Sequence, residues 1–241
     1  MCFDISSTKI KQLVKKNQTA DFYKNFNYNP FYHANGFNYP TVSIIKMTAP
    51  NLICPSTWGL IPDWAEDDIL GFRKKYNTLN AKSETLLSSK MYQESAIEKR
   101  CLIIADGFFE PHRRNNMSIP YYCYIPTDEF DDGRDLFVFA GIYNEHTDES
   151  LSCSIITTEA NDFFSEIHNV KKRMPLVLNN DLKGEWLQED LKDTHISDLL
   201  KIGFTKKEFK AHSVSRNLYD RKRITNEPSI LEPVNYTTLF D

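Results

Sequence analysis

The chain has 241 residues, 41% hydrophobic and 26% charged, the balance of a globular protein that can bury a full core. Its 16 Phe and 12 Tyr argue against disorder, its 8 glycines exclude collagen-like and glycine-rich classes, and no apolar run approaches the ~20 residues that cross a bilayer. The net charge of −4 divides unevenly: residues 1–126 carry 15 Lys/Arg against 11 Asp/Glu and residues 127–241 carry 14 against 22, which leaves room for a cationic face in the first half.

In chain order, Ser6-Ser7-Thr8 reads as a cap for a short helix over about 8–17, with Ile10, Leu13 and Val14 at helical spacing. Residues 25–40, rich in Asn, Tyr, Phe and Pro, read as an ordered aromatic loop. Thr41–Met47 and Asn51–Cys54 read as strands. Leu86, Leu87, Met91 and Ile97 can share one face of a helix over Ser83–Lys99. Strands follow at Cys101–Ala105, Tyr121–Ile125, Leu136–Ile142 and Leu151–Thr157, with an acidic hairpin-type connection at Asp128–Asp135. A short helix after Thr158, a strand at Leu176–Leu178, helices near 180–190 and 195–202, and a last strand at Glu208–Val214 complete the pattern. Grouped strands with helices at the flanks predict an α+β class, and nothing divides residues 1–241 into more than one compact domain.

The start, Met-Cys-Phe-Asp, lacks the basic and apolar regions of a signal peptide, so a cytoplasmic location is expected, with nucleoid association if the source is bacterial. The 5 cysteines, odd in number and irregular in spacing, then read as free thiols, with Cys54, Cys101, Cys123 and Cys153 in apolar strand contexts. Neither Cys-x-x-Cys nor His-Glu-x-x-His spacing occurs, so no metal and no cofactor is expected.

Cys2 carries a distinct chemistry. Methionine is normally removed ahead of a small second residue, which would leave a cysteine with a free α-amine beside its thiol. With reference pKa values of about 7.7–8.0 and 8.5, a useful fraction of each group is nucleophilic near neutrality. Such a 1,2-aminothiol condenses with an aldehyde to an imine, and the thiol then closes a five-membered thiazolidine. Four further segments stand out. Trp58-Gly59-Leu60-Ile61-Pro62-Asp63-Trp64 is an aromatic turn, and Asn80-Ala81-Lys82-Ser83 sets an amide and a cation ahead of a predicted helix. Arg100 to Ala105, then Asp106-Gly107-Phe108-Phe109-Glu110, leads a buried strand through a glycine to a carboxylate. Ile167-His168-Asn169, followed by Arg173-Met174-Pro175, puts a histidine and an arginine before a strand.

In this order the segments resemble the SRAP (SOS response-associated peptidase) family, whose members shield abasic sites in single-stranded DNA, from Cys2 to the closing His212-Ser213-Val214-Ser215-Arg216 and Ile230-Leu231-Glu232-Pro233-Val234. The resemblance implies a single α+β domain around a barrel-like, mainly antiparallel sheet. It implies Cys2 as the crosslinking nucleophile and Asn80 as the amide that holds the N-terminus and the opened sugar. Glu110 is the implied proton shuttle and His168 the residue that orients the sugar hydroxyl. It further implies a DNA-binding surface drawn from Pro40, Trp58, Gly59, Pro62, Trp64, Lys82, Lys90, Arg173, Ser215 and Arg216. The implied partner is single-stranded DNA containing abasic sites, bound covalently. A monomer is expected, with no membrane partner and with room for replication-fork proteins. The family's name adds autocatalytic peptidase activity at the N-terminus.

The chain departs from the family pattern in four places. Phe3-Asp4 replaces the common Gly-Arg, Lys82 stands for an arginine, Pro111 replaces an aromatic after Glu110, and Val170, Lys171 and Lys172 are extra. Two other readings stay open on the residues alone: an N-terminal-nucleophile cysteine amidohydrolase, and a non-catalytic single-stranded-DNA-binding module.

Overall fold

A computed structural model describes residues 2–220 and 222–236. Among these residues nineteen β-strands and α-helices follow one another. They are β1 (Asp4–Ser7), α1 (Lys11–Gln18), β2 (Asp21–Phe22), β3 (Phe31–Asn35), β4 (Thr41–Lys46), β5 (Ala49–Trp58), α2 (Ile69–Lys75), β6 (Asn80–Lys82), α3 (Gln93–Glu98) and β7 (Arg100–Ala105). Then come β8 (Gly107–Arg114), β9 (Met117–Tyr124), β10 (Phe137–Glu145), β11 (Leu151–Glu159), α4 (Asp162–Ile167), β12 (Arg173–Pro175), α5 (Lys183–Trp186), α6 (Asp193–Ile202) and β13 (Lys210–Ser213).

The strands form two sheets, one of five strands in the order β13-β9-β8-β1-β3 and one of eight in the order β12-β11-β10-β7-β4-β5-β2 with β6 added on β11. The larger sheet closes on itself, because β5 also pairs in parallel with β11 at Thr57↔Ser152 and Trp58↔Cys153. The result is a ring of β5, β4, β7, β10 and β11, otherwise antiparallel. Closure removes the open edges that a sheet must otherwise protect. All six residues of β7 are buried, as are eight of nine in β10, so these strands read as apolar runs rather than alternations. Phe108, Phe137, Phe139, Phe164 and Phe209 pack edge-on or tilted where the two sheets and α4 meet. The predicted class and the barrel-like core are therefore observed. Among the described residues, no helix is long and apolar enough to cross a membrane.

Several local expectations are corrected. The hydroxyls near the N-terminus do not cap α1, which starts at Lys11 with Ile10 in the cap position. Instead Ser6 Oγ donates to Asp106 Oδ1 at 2.6 Å, and the Thr8 backbone N–H donates to Asp106 Oδ2 at 2.7 Å. A buried carboxylate needs such donors, and it takes them from Ser6 on β1 and from Thr8 just past its end. The aromatic loop contains β3, which pairs with β1. The helix over 83–99 splits into a 3₁₀ turn at Ser83–Ser88 and α3, at Ser88-Ser89, residues that compete for backbone hydrogen bonds. The strand at 51–54 runs on as β5 through Pro55. That residue falls between the stretches paired with β2 and β11, so its missing N–H costs no bond on that side. The Asp128–Asp135 segment crosses between sheets, joining β9 to β10, although Pro126 and Arg134 bridge at its base.

Candidate active site

The site is assembled by β1. This strand lies between β8 and β3, with Asp4 opposite both Phe109 and Asn35. The antiparallel register carries Cys2 and Phe3 alongside Glu110 and Pro111. Gly107 is required for this arrangement, since a Cβ there would stand 2.2 Å from the Tyr122 hydroxyl, which lies 3.0 Å from Ser6 Oγ.

Three tethers hold the N-terminal segment. Asn80 Nδ2 donates to the Cys2 carbonyl at 2.8 Å, and the Gly36 N–H donates to the Phe3 carbonyl at 2.7 Å. Asp4 Oδ1 accepts from Asn35 Nδ2 at 2.6 Å and lies 2.8 Å from His33 Nε2. Asn80 is delivered by β6, which runs parallel to β11 with Asn80 opposite Ile155. Its Oδ1 is buried and has no hydrogen-bond partner, so one acceptor of the amide is available to a ligand. Cys2 is fully buried. Burial first, and then the Glu110 charge, push its thiol well above the usual range, so it rests as a neutral thiol until a base removes its proton.

Glu110 is fully buried on β8, and burial raises its carboxyl to about 7. His168 sits just past the end of α4, with Nδ1 2.9 Å from the Arg173 carbonyl and 3.1 Å from Glu110 Oε2. A carbonyl only accepts, so Nδ1 carries the proton. Burial pushes this ring down to about 4 and the carboxyl up, so the contact is a neutral imidazole against a carboxyl that keeps its proton more readily than usual, not an ion pair. Asn169 locks the placement: its Nδ2 donates to the Arg113 carbonyl at 2.8 Å and its Oδ1 accepts from the Arg113 N–H at 2.9 Å. The extra residues 170–172 form a turn closed by the Lys172 N–H on the His168 carbonyl, with Val170 66% exposed. The insertion projects outward and leaves His168 against Glu110.

The structure thus brings together Cys2, Asn80, Glu110 and His168 from four separate segments. The predicted DNA-binding residues divide. Lys82, Lys90, Arg216 and Trp64 are exposed, Trp64 by 62% with its ring edge-on to Phe72 and Tyr76. Pro40 and Ser215 are half-buried; Ser215 accepts from the Asn217 N–H.

Trp58, Gly59 and Pro62 are buried, so they are not part of an exposed DNA-binding surface as expected. Trp58 is 0% exposed and its Nε1 donates to the Leu79 carbonyl at 2.8 Å, so it positions the residue before Asn80. Gly59 has φ +122° and a Cβ there would meet Tyr39 at 2.8 Å, a packing constraint rather than a contact surface. Arg173 is likewise committed. Its guanidinium pairs with Glu84 at 2.6 and 3.0 Å and donates to the Thr157 carbonyl at 2.7 Å. Burial works against the Glu84 charge, yet Arg173 holds that carboxyl below its ordinary value. Arg173 therefore serves the site through its carbonyl on His168. The sequence reading gave no role to Asp4, His33 or Phe37. The pairing of β1 with β3, hidden in a polar aromatic stretch, is what brings them to Cys2.

A cavity of about 680 Å³ adjoins this cluster and reaches His168, with Phe3, Asp4, Pro111 and Lys171 in its walls. Most positions at which the chain departs from the family pattern thus face one space.

Comparisons with known proteins give the family and the fold. Abasic site processing protein YoaM of Bacillus subtilis (strain 168) is 30% identical over 200 residues, covering 81% of this chain and 82% of that protein. Abasic site processing protein HMCES of Xenopus tropicalis is 28% identical over 198 residues, 75% of this chain and 57% of that protein. A crystal structure of a Bacteroides thetaiotaomicron protein superposes with a TM-score of 0.81 at 28% identity, covering 97% of this chain and all of that one. The family described as SOS response associated peptidase (SRAP) matches residues 1–220. Cys2, Asn80, Glu110 and His168 lie within that match, and the chain belongs to the SRAP family.

Proposed function

We propose that this protein senses abasic sites in single-stranded DNA and captures them covalently through Cys2. The observation that carries the reading is the meeting of a tethered N-terminal cysteine with a carboxyl of intermediate pKa and a neutral histidine in one buried cluster.

An abasic sugar is mostly a closed hemiacetal, so a group must first move a proton from the C1′ hydroxyl and deliver one to the ring oxygen. A carboxyl near 7 is populated in both forms at neutral pH and can do both. Once Met1 is removed, the Cys2 amine attacks the C1′ aldehyde. Loss of water, with the proton supplied by Glu110, leaves an imine. The thiol then adds to the imine carbon, its proton passing through Glu110 to the nitrogen. Two bonds form, C1′–N and C1′–S, the C1′=O bond is lost, and one water leaves. Nothing is oxidised or reduced. In this scheme Asn80 keeps the N-terminal residue facing the sugar and offers Oδ1 to a sugar hydroxyl, while the unprotonated Nε2 of His168 orients that hydroxyl. The same groups are placed to serve the release of what precedes Cys2, the sense in which a peptidase activity fits this site. The cationic excess of residues 1–126 and the exposed Lys82, Lys90 and Trp64 suit a single strand, where phosphate contacts give affinity and stacking tolerates any base.

The test mixes the Met-processed protein with a single-stranded oligonucleotide containing one abasic site, beside the same strand carrying a tetrahydrofuran analogue that cannot open to an aldehyde. A denaturing gel should show a retarded band with the abasic strand alone, fastest near pH 7 and slower on both sides. Bands on both strands, or on neither, would overturn the reading.

A further inference from the structure

Phe37, exposed, and Phe3, half-buried against the core, form an aromatic pair beside the nucleophile. Their ring centroids are 4.9 Å apart with planes tilted by 42°, and Phe37 is 51% exposed. The pair is rigidly placed. Asn35 Oδ1 accepts from the Phe37 N–H at 3.0 Å, while Asn35 Nδ2 donates to Asp4. The Gly36 N–H holds the Phe3 carbonyl. A Cβ on Gly36 would crowd Leu79 at 3.1 Å and that same carbonyl at 3.3 Å, so the turn is built for close approach. Phe3 is partly buried by folding, but Phe37 leaves about half of a large apolar ring open beside the cavity that both residues line.

The same cavity carries cations. Arg113 and Lys171 line it, and both are exposed. Two carboxylates also line it, but each is already engaged, Asp4 by Asn35 and His33 and Asp220 by Arg223 at 3.4 Å. Its volume of about 680 Å³ admits a nucleotide, and His168 is part of its wall, so it is continuous with the site where an abasic sugar would lie.

We infer that this cavity receives the nucleotide adjacent to the abasic site, with Phe3 and Phe37 stacking on its base and Arg113 and Lys171 taking its phosphate. The inference rests on the abasic-site reading above and adds to it a dependence on one neighbouring base. Phe3, Phe37 and His168 line one cavity, so a strand whose sugar lies at His168 passes the two rings with a neighbouring nucleotide. Preformed rings lose little freedom on binding, which favours stacking over a mobile contact. The identity of the base matters little, since every base offers a face; its presence matters.

The test measures non-covalent affinity, so it does not depend on the crosslinking chemistry. Single strands centred on the tetrahydrofuran analogue are compared by fluorescence anisotropy when the nucleotide on the 5′ side, or on the 3′ side, keeps or lacks its base. The wild type should lose roughly tenfold in affinity when the base is missing on one side and little on the other. Phe37→Ala, at an exposed position, should bring that ratio close to one. Phe3→Leu, which keeps apolar bulk but not the aromatic face, should do the same. Arg113→Gln and Lys171→Gln should each flatten the dependence of affinity on salt. Indifference of the wild type to the base on both sides, or an unchanged ratio in Phe37→Ala, would overturn the inference. Failure of the crosslink with a preserved base dependence would overturn the proposed chemistry and leave this subsite standing.

Discussion

The closed ring and the five-stranded sheet are neighbours built on different rules. β7, β10 and most of β11 bury almost every residue, mostly apolar ones, and polar members such as Arg100 and Asn144 donate to the Trp186 and Ile61 carbonyls. In the smaller sheet the buried residues include Ser6, Ser7, His33 and Glu110, with Asp106 at the turn leading into β8. Ser6 and Asp106 satisfy one another, whereas Glu110 is held at a carboxyl value of about 7, where burial disfavours its charge. The ring supplies stability; the sheet gives up some of it to keep a buried carboxyl beside the N-terminus. Substitutions in the two regions should therefore separate folding from chemistry.

The largest separation is expected at Glu110. Glu110→Gln should slow adduct formation by ~10²–10⁴-fold, the usual contribution of a general acid–base group, as read from the initial rate of the gel band. An unchanged rate would remove Glu110 from the proton path. Trp58→Ala should behave in the opposite way. Truncating this fully buried ring should lower stability by about 3–5 kcal/mol in denaturant unfolding, and the surviving folded fraction should keep the wild-type pH profile.

Glu110 has a second signature. Its folded value is raised from 4.5 to about 7, so its contribution to stability is full below about 4.5 and is lost as pH rises through 7. That loss is worth about 3 kcal/mol. His168 runs the other way. Its value is lowered from 6.5 to about 4, so its contribution is present above 6.5 and is lost as pH falls through 4. Between 4.5 and 6.5 the two trends offset in the wild type. Glu110→Gln removes one of them, so its stability relative to wild type should climb with pH and level off above 7. A gap between the two proteins that stays constant from pH 4 to 8 would contradict the burial of an ionisable Glu110.

The smallest effect belongs to Trp64. Trp64→Ala should leave the unfolding midpoint nearly unchanged and weaken single-stranded-DNA binding by about 1–3 kcal/mol in an anisotropy titration. Unaltered binding would leave Lys82 and Lys90 as the contacts of that face.

The same contrast explains what could be read from the sequence. β4, β7 and β10 announce themselves as apolar runs because nearly all of their residues are buried, and four of the five ring strands were placed within a few residues. β8 was missed because Glu110, Pro111, His112, Arg113 and Arg114 look like a surface segment, although Glu110 is buried. The hydroxyls of Ser6 and Thr8 looked like a helix cap because their partner, Asp106, lies about a hundred residues away. Trp58 and Trp64 looked equivalent within one motif. The end of β5 turns the first inward against Leu79, and the 3₁₀ turn at Asp63–Asp68 leaves the second on the surface. Cys2, Asn80, Glu110 and His168 came from resemblance to a family, since no periodicity or spacing in a single chain joins residues 2, 80, 110 and 168. Phe37 had no such guide, because only the pairing of β1 with β3 brings it to Phe3.

The most direct measurement is the location of the bond. After reaction with an abasic single strand, nuclease digestion and proteolysis, peptide mass spectrometry should find the sugar remnant on the N-terminal residue, Cys2. The mass should equal that of the two partners less one water, and it should be unchanged by borohydride, which reduces an imine but not a closed thiazolidine. Cys2→Ala should give no such species. A remnant on Lys82 or any other lysine, or one reduced by borohydride, would contradict capture by the N-terminal aminothiol.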